Sequence, residues 1–178
     1  KSQQEEIDSD NPDYIMQKIR ELYLKDSSVT IFLIGTRSYE NYQEPNDARR
    51  GYDSQIIIRR EITASLYNGN GNTRNGLLGV VLPEMESNIY GGQTICPCCG
   101  TRFNIVNINN GTVIKEFGQN YYLKKRGLAN CNHYAEDDRY AVLVRYSEFM
   151  QDPEKYIDMA YAKRDMPIAN NVRVRNFD

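Results

Sequence analysis

Charge of one sign is what this 178-residue chain lacks most plainly: 22 Lys and Arg stand against 24 Asp and Glu. A protein that grips nucleic acid through its phosphates needs a basic field, and none is present, so a generic DNA or RNA binder is disfavoured. Long apolar runs are missing too. The longest, Val29–Ile34 and Leu77–Leu82, fall far short of the roughly 20 residues that span a bilayer, so no membrane partner is expected. Histidine occurs once, at His133, and cysteine four times. That is too little cysteine for a disulfide scaffold in a chain long enough to bury an ordinary core. No internal repeat or low-complexity tract divides the sequence, which predicts one domain over residues 1–178. No secretory signal precedes the first apolar run, so a cytoplasmic protein is expected. The chain starts at Lys1 without a methionine, and an N-terminal part missing from it is expected as well.

The scarce residues are clustered. Cys96, Cys98 and Cys99 sit within TICPCCGTRF, and Cys131 stands two positions before His133. Cys96-Pro97-Cys98-Cys99-Gly100 has the form of a zinc knuckle, a tight turn that points two thiolates at one ion while glycine permits the backbone geometry that follows. Adding Cys131 and His133 completes a Cys3His set, a closed tetrahedral shell that leaves no position for water. The expectation is therefore a structural zinc on Cys96, Cys99, Cys131 and His133, holding a Cys-rich insertion over residues 84–138. Reduced cysteines in an ordinary loop, or Cys98 in place of Cys99, are the alternatives.

Around this segment the pattern alternates. Asp13 to Leu24 places Ile15, Met16, Ile19 and Leu22 at helical spacing behind Asn11-Pro12-Asp13. Ser28–Gly35 is β-branched and apolar on both faces, the pattern of a strand buried inside a parallel sheet. Gln55 to Tyr67 reads as a helix with Ile58, Ile62, Ser65 and Leu66 on its apolar face, stopped by Asn68-Gly69-Asn70-Gly71. Gly76–Leu82 repeats the buried-strand pattern and stops at Pro83. Tyr140–Val144 reads as a third strand, and Ser147–Arg164 as a helix whose second part starts at Asp152-Pro153. Helices alternating with strands predict an α/β fold with a mostly parallel sheet.

In such sheets ligands bind beyond the carboxyl ends of the strands, which directs attention to Gly35-Thr36-Arg37-Ser38 after the first strand. Glu61, in IIIRREITASLYNG, is the sharper residue: an acid near the start of a helix that otherwise faces a core. The plain reading of such a glutamate is a solvated side chain that gains a little from the helix dipole.

The runs YIMQKIRELYLKDSSVTIFLIGTRS, RREITASL and NGLLGVVLP, covering about residues 10 to 83, resemble the TIR-like family, a flavodoxin-like branch that includes the NAD-processing TIR proteins of bacterial Thoeris anti-phage systems. In that family a glutamate lies in a W-V-x-W/Y-E-I segment of the helix after the third strand, and Glu61-Ile62 falls on its E-I. The resemblance implies a catalytic Glu61, substrate contacts at Gly35, Thr36 and Arg37, and NAD as substrate, cleaved between nicotinamide and ribose. It also implies a homo-oligomer or a partner defence protein. Two positions depart from the pattern: Ile57 and Arg60 stand where the family has aromatic residues. The strand, helix and strand that open a TIR-like sheet have no counterpart before residue 10. The Val29–Ile34 strand is accordingly expected to be covered by a strand from upstream of Lys1 or from another chain, because a long apolar edge invites aggregation. A non-catalytic nucleotide-binding or protein-interaction module is the alternative function. A third reading, nucleic-acid binding by the knuckle together with Lys124-Lys125-Arg126, rests on three basic residues alone.

Overall fold

The sheet is built around Gly76–Val81, a strand whose six residues are all buried. In this computed structural model the described residues are 14, 18, 20–24, 27–43, 55–69, 73–123, 131 and 133–174. Strand β1 (Val29–Ile34) runs parallel to β2 (Gly76–Val81), with Val29 opposite Gly76 and Ile34 opposite Val81. Strand β5 (Val142–Arg145) runs parallel along the other side of β2, with Leu78 opposite Val142 and Val81 opposite Arg145. The order is therefore β1-β2-β5, with β2 central.

Side chains alternate across β2 and feed two cores. Leu77 and Val81 join Phe32 and Ile34 of β1 under helix α1 (Ile56–Leu66), which contributes Ile62 and Leu66, and helix α3 (Lys115–Tyr121), which contributes Phe117 and Tyr121. Leu78 and Val80 face the opposite way and join Val142, Val144 and Ala160. Ala160 belongs to helix α5 (Pro153–Ala162), which follows the short helix α4 (Tyr146–Gln151). Two glycines of β2 make these approaches possible. A Cβ on Gly79 would lie 2.4 Å from the Phe117 ring, and one on Gly76 would lie 2.1 Å from the backbone oxygen of Ala160.

The second half of the predicted terminal helix starts where Asp152-Pro153 placed it: proline opens α5, and the Asp152 carboxylate accepts the Lys155 N–H at 3.1 Å. The expected burial of Val29–Ile34 is corrected. Its residues alternate, with Phe32 and Ile34 buried but Ile31 and Leu33 43% and 56% exposed. Among the described residues β1 pairs with β2 alone, so its outer edge carries no neighbour. Of the helix read over residues 13–24, Arg20–Leu24 forms a π-helical turn, and most of the rest lies outside the described residues.

The segment 84–138 is more than a Cys-rich loop. After the short helix α2 (Glu86–Ile89), strands β3 (Tyr90–Ile95) and β4 (Arg102–Val106) form an antiparallel hairpin. Tyr90 and Val106, paired at its root, pack against the main core, while the rest of both strands is largely exposed. Helix α3 then returns to the sheet, so this segment supplies part of the main core.

Candidate functional site

The turn that joins β3 to β4 presents two of the four metal-ligand candidates. The Cys96 N–H donates to the Thr101 carbonyl at 2.9 Å, and the Gly100 N–H donates to the Cys96 carbonyl at 2.9 Å. Gly100 makes the turn possible with a φ of 69°, a left-handed value that a side chain disfavours. Cys131 and His133 arrive from the far end of the 84–138 segment, and the His133 ring stacks on Phe103 of β4 with centroids 5.0 Å apart.

The donor atoms of Cys96, Cys99, Cys131 and His133 all lie within 4.8 Å of one another, a group that could hold a metal ion. Cys131 Sγ is 3.5 Å from Cys96 Sγ, 3.6 Å from Cys99 Sγ and 3.3 Å from His133 Nδ1, and Cys99 Sγ is 4.0 Å from Nδ1. A tetrahedral ion with metal–sulfur bonds of about 2.3 Å and metal–nitrogen bonds of about 2.0 Å has edges of about 3.8 Å between sulfurs and about 3.5 Å from sulfur to nitrogen. The four donors are thus spaced as corners of one coordination shell, and the sulfurs are too far apart for a disulfide. Cys98 is exposed and stands outside the group, so the geometry selects Cys99 as the second knuckle ligand.

The electrostatics fit the same use. Hydrogen bonding to the Thr101 side chain, 3.2 Å away, lowers the Cys99 thiol to about 7. Burial, with the neighbouring Cys96 and Cys99 sulfurs, pushes Cys131 up to about 12. One thiolate forms readily in this cluster, and a second is opposed until a cation lies between the sulfurs. His133 is 4% exposed and turns Nδ1 toward the sulfurs. Its buried Nε2 has no hydrogen-bond partner among the described residues.

A separate groove of about 580 Å³ lies at the carboxyl end of β1. Its lining includes Gly35, Thr36 and Arg37, here called the rim, Glu61 and Ile58 of α1, and, along β1 itself, Thr30, Ile31, Phe32 and Leu33. The rim is shaped by Ser38: its Oγ accepts the Gly35 N–H at 2.9 Å and its hydroxyl donates to the Leu33 carbonyl at 3.1 Å. Helical spacing places Ile58, Glu61 and Ile62 on one face of α1, which is why all three reach the groove. The structure thus brings Gly35, Thr36, Arg37 and Glu61 together, and it shares none of these with the Cys3His group.

Sequence reasoning did not identify Tyr42, Gln55 or Glu84, which also line the groove. Tyr42 and Gln55 lie in or beside the polar stretch after β1, and no periodicity singles them out. Ile57 is 60% exposed, and neither it nor Arg60 lines the groove. Lys124-Lys125-Arg126 falls outside the described residues. No helix among the described residues is long and apolar enough to cross a membrane. Comparison of the chain with protein-family models, with curated proteins and with solved structures finds no match.

Proposed function

We propose that this chain is a TIR-like enzyme that cleaves the bond between nicotinamide and ribose in NAD. The observation that carries the reading is the meeting of Glu61 with the Gly35-Thr36-Arg37 loop in one groove at the carboxyl end of a parallel strand. Nicotinamide leaves as a neutral group, and positive charge develops on the ribose ring. A carboxylate in the groove stabilises that charge and orients the ribose hydroxyls. Arg37 supplies a cation for the diphosphate, and Ile58 offers apolar surface to the rings. Attack of water on the ribose carbon gives ADP-ribose, and attack of a nitrogen of the same molecule's adenine gives a cyclised ADP-ribose; a role in anti-phage defence is what the resemblance implies.

The ion of the Cys3His group is zinc in this reading. Three sulfurs and one imidazole nitrogen suit zinc, and a shell filled by the protein leaves no open position for chemistry. The ion fastens the 84–138 segment, and catalysis belongs to the groove. The open edge of β1, with Ile31 and Leu33 exposed, supports an assembled form in which another strand covers it.

The test is release of nicotinamide from NAD by the assembled protein and by Glu61→Gln, with zinc measured per chain. A second reading, a nucleotide-binding module without turnover, is favoured by Ile57 and Arg60 at the aromatic positions of the TIR-like pattern. Binding of NAD with no nicotinamide released would select it.

A further inference from the structure

Glu40 lies five residues beyond Gly35, outside the groove, and is 8% exposed. Four of its polar groups are engaged. Its N–H donates to the Asn110 carbonyl at 3.0 Å, and its own carbonyl accepts from Arg59 Nη2. One carboxylate oxygen lies 3.1 Å from Arg59 Nη2, and the other accepts the Lys115 N–H at 2.6 Å. Arg59 belongs to α1, and Lys115 is the first residue of α3.

Two features make this more than a buried ion pair. Helix α3 has no cap of its own, because the residue in that position is Ile114, whose side chain cannot accept a hydrogen bond. Glu40 supplies the acceptor and the negative charge from 75 positions away in the sequence. Arg59 is also the second tie between α1 and the groove rim. One helical turn earlier, Gln55 Nε2 donates to the Arg37 carbonyl. Gln55 and Arg59 thus hold the backbone of the rim at Arg37 and Glu40, while Glu61, two residues after Arg59, faces the groove.

We propose that Glu40 is a positioning residue: it holds the Gly35–Arg37 rim at a fixed distance from Glu61 by binding α1 and α3 at once. The inference rests on the groove being the ligand site only for its effect on NAD, and its effect on the rim stands apart from that reading. Glu40→Gln keeps an acceptor for Lys115 but leaves the Arg59 guanidinium, 11% exposed, without its carboxylate. Arg59→Gln removes the same ion pair from the other side, together with the bond to the Glu40 carbonyl.

Two measurements on the full chain test this: amide hydrogen exchange, and NAD affinity by calorimetry well below the melting temperature. Glu40→Gln should speed exchange at residues 35–38 by about tenfold while β2 stays protected, and weaken NAD binding by about tenfold. Arg59→Gln, which loses the ion pair and the bond to the Glu40 carbonyl, should loosen the rim and weaken binding at least as much. A melting temperature that falls with exchange and affinity unchanged overturns the proposal and makes Glu40 a stabilising residue only. Failure of both variants to fold does the same. If the parent binds no NAD while rim exchange responds as stated, the positioning role stands and the NAD reading falls.

Discussion

Removal of the metal should be felt by the whole domain. An ion held by Cys99 and Cys131 closes a loop between residues 32 positions apart. Treated as a cross-link on the unfolded chain, closure of a loop of that length is worth about 4 kcal/mol at 25 °C. Helix α3 lies inside the loop, and its Phe117 and Tyr121 are fully buried against the sheet. The same segment carries Tyr122, whose ring meets those of Tyr121 and Tyr134 at 4.8 Å. Loosening the loop therefore raises the entropy cost of placing core side chains, and the sheet cannot keep its packing while α3 leaves. At about 2–4 °C per kcal/mol for a chain of this size, chelation should lower the melting temperature by about 10 °C. Cys131→Ser, which also removes a buried ligand, should do at least as much. The assay is thermal unfolding followed by circular dichroism, with metal content measured on the same samples. The expected result is one transition shifted as a unit. A melt unchanged within about 2 °C in protein shown to be metal-free would refute the reasoning, as would a separate early transition that leaves the sheet intact.

Other outcomes follow from the same geometry. Near pH 7, iodoacetamide should label Cys98 alone in metal-loaded protein, because Cys98 is exposed and outside the donor group. After chelation Cys99, lowered to about 7, should be next to react, and its labelling should fade as the pH falls below that value and the thiol is protonated. Cys131, raised to about 12, should remain slow, and mass spectrometry of the peptides reads all three. Labelling of Cys131 ahead of Cys99 would contradict the arrangement. Gly76→Ala should cost about 3 kcal/mol, since the added methyl meets the backbone of α5 at Ala160 and no side-chain rotation relieves it. A melting temperature equal to the parent's would show that α5 sits farther from β2.

The features most legible in the sequence were those written in residue type. Cys96, Cys99, Cys131 and His133 could be grouped because few other residues bind a soft cation, and Asp152-Pro153 announced a helix start by its own chemistry. Strand β2 was legible because a fully buried strand needs no alternation. Strand β1 carried a similar apolar run, but VTIFLI does not state how many neighbours it pairs with: among the described residues it pairs with β2 alone, and Ile31 and Leu33 are exposed. The β3–β4 hairpin was missed because most of it is exposed on both faces, so burial imposes no period-two pattern. Gly35–Arg37 and Glu61 were legible singly, but their meeting depends on how α1 lies on β1. Glu40 was not legible at all. One of its partners is a backbone N–H that any residue but proline could offer, contributed by a helix that sequence reasoning did not predict within the 84–138 segment.

The account stands most directly on the rate of nicotinamide release from NAD by the zinc-loaded, assembled protein, compared with Glu61→Gln under the same conditions. Glutamine keeps the shape of the side chain but not the charge that an oxocarbenium-like transition state requires, and loss of one such contact costs about a hundredfold or more in rate. The parent should release nicotinamide steadily and Glu61→Gln at least about a hundredfold more slowly, with melting temperatures within a few degrees of each other, because Glu61 lies beyond the first turn of α1, where the helix dipole acts, and glutamine keeps its hydrogen-bonding capacity. A parent that releases no nicotinamide, or a Glu61→Gln variant as active as the parent, would contradict it.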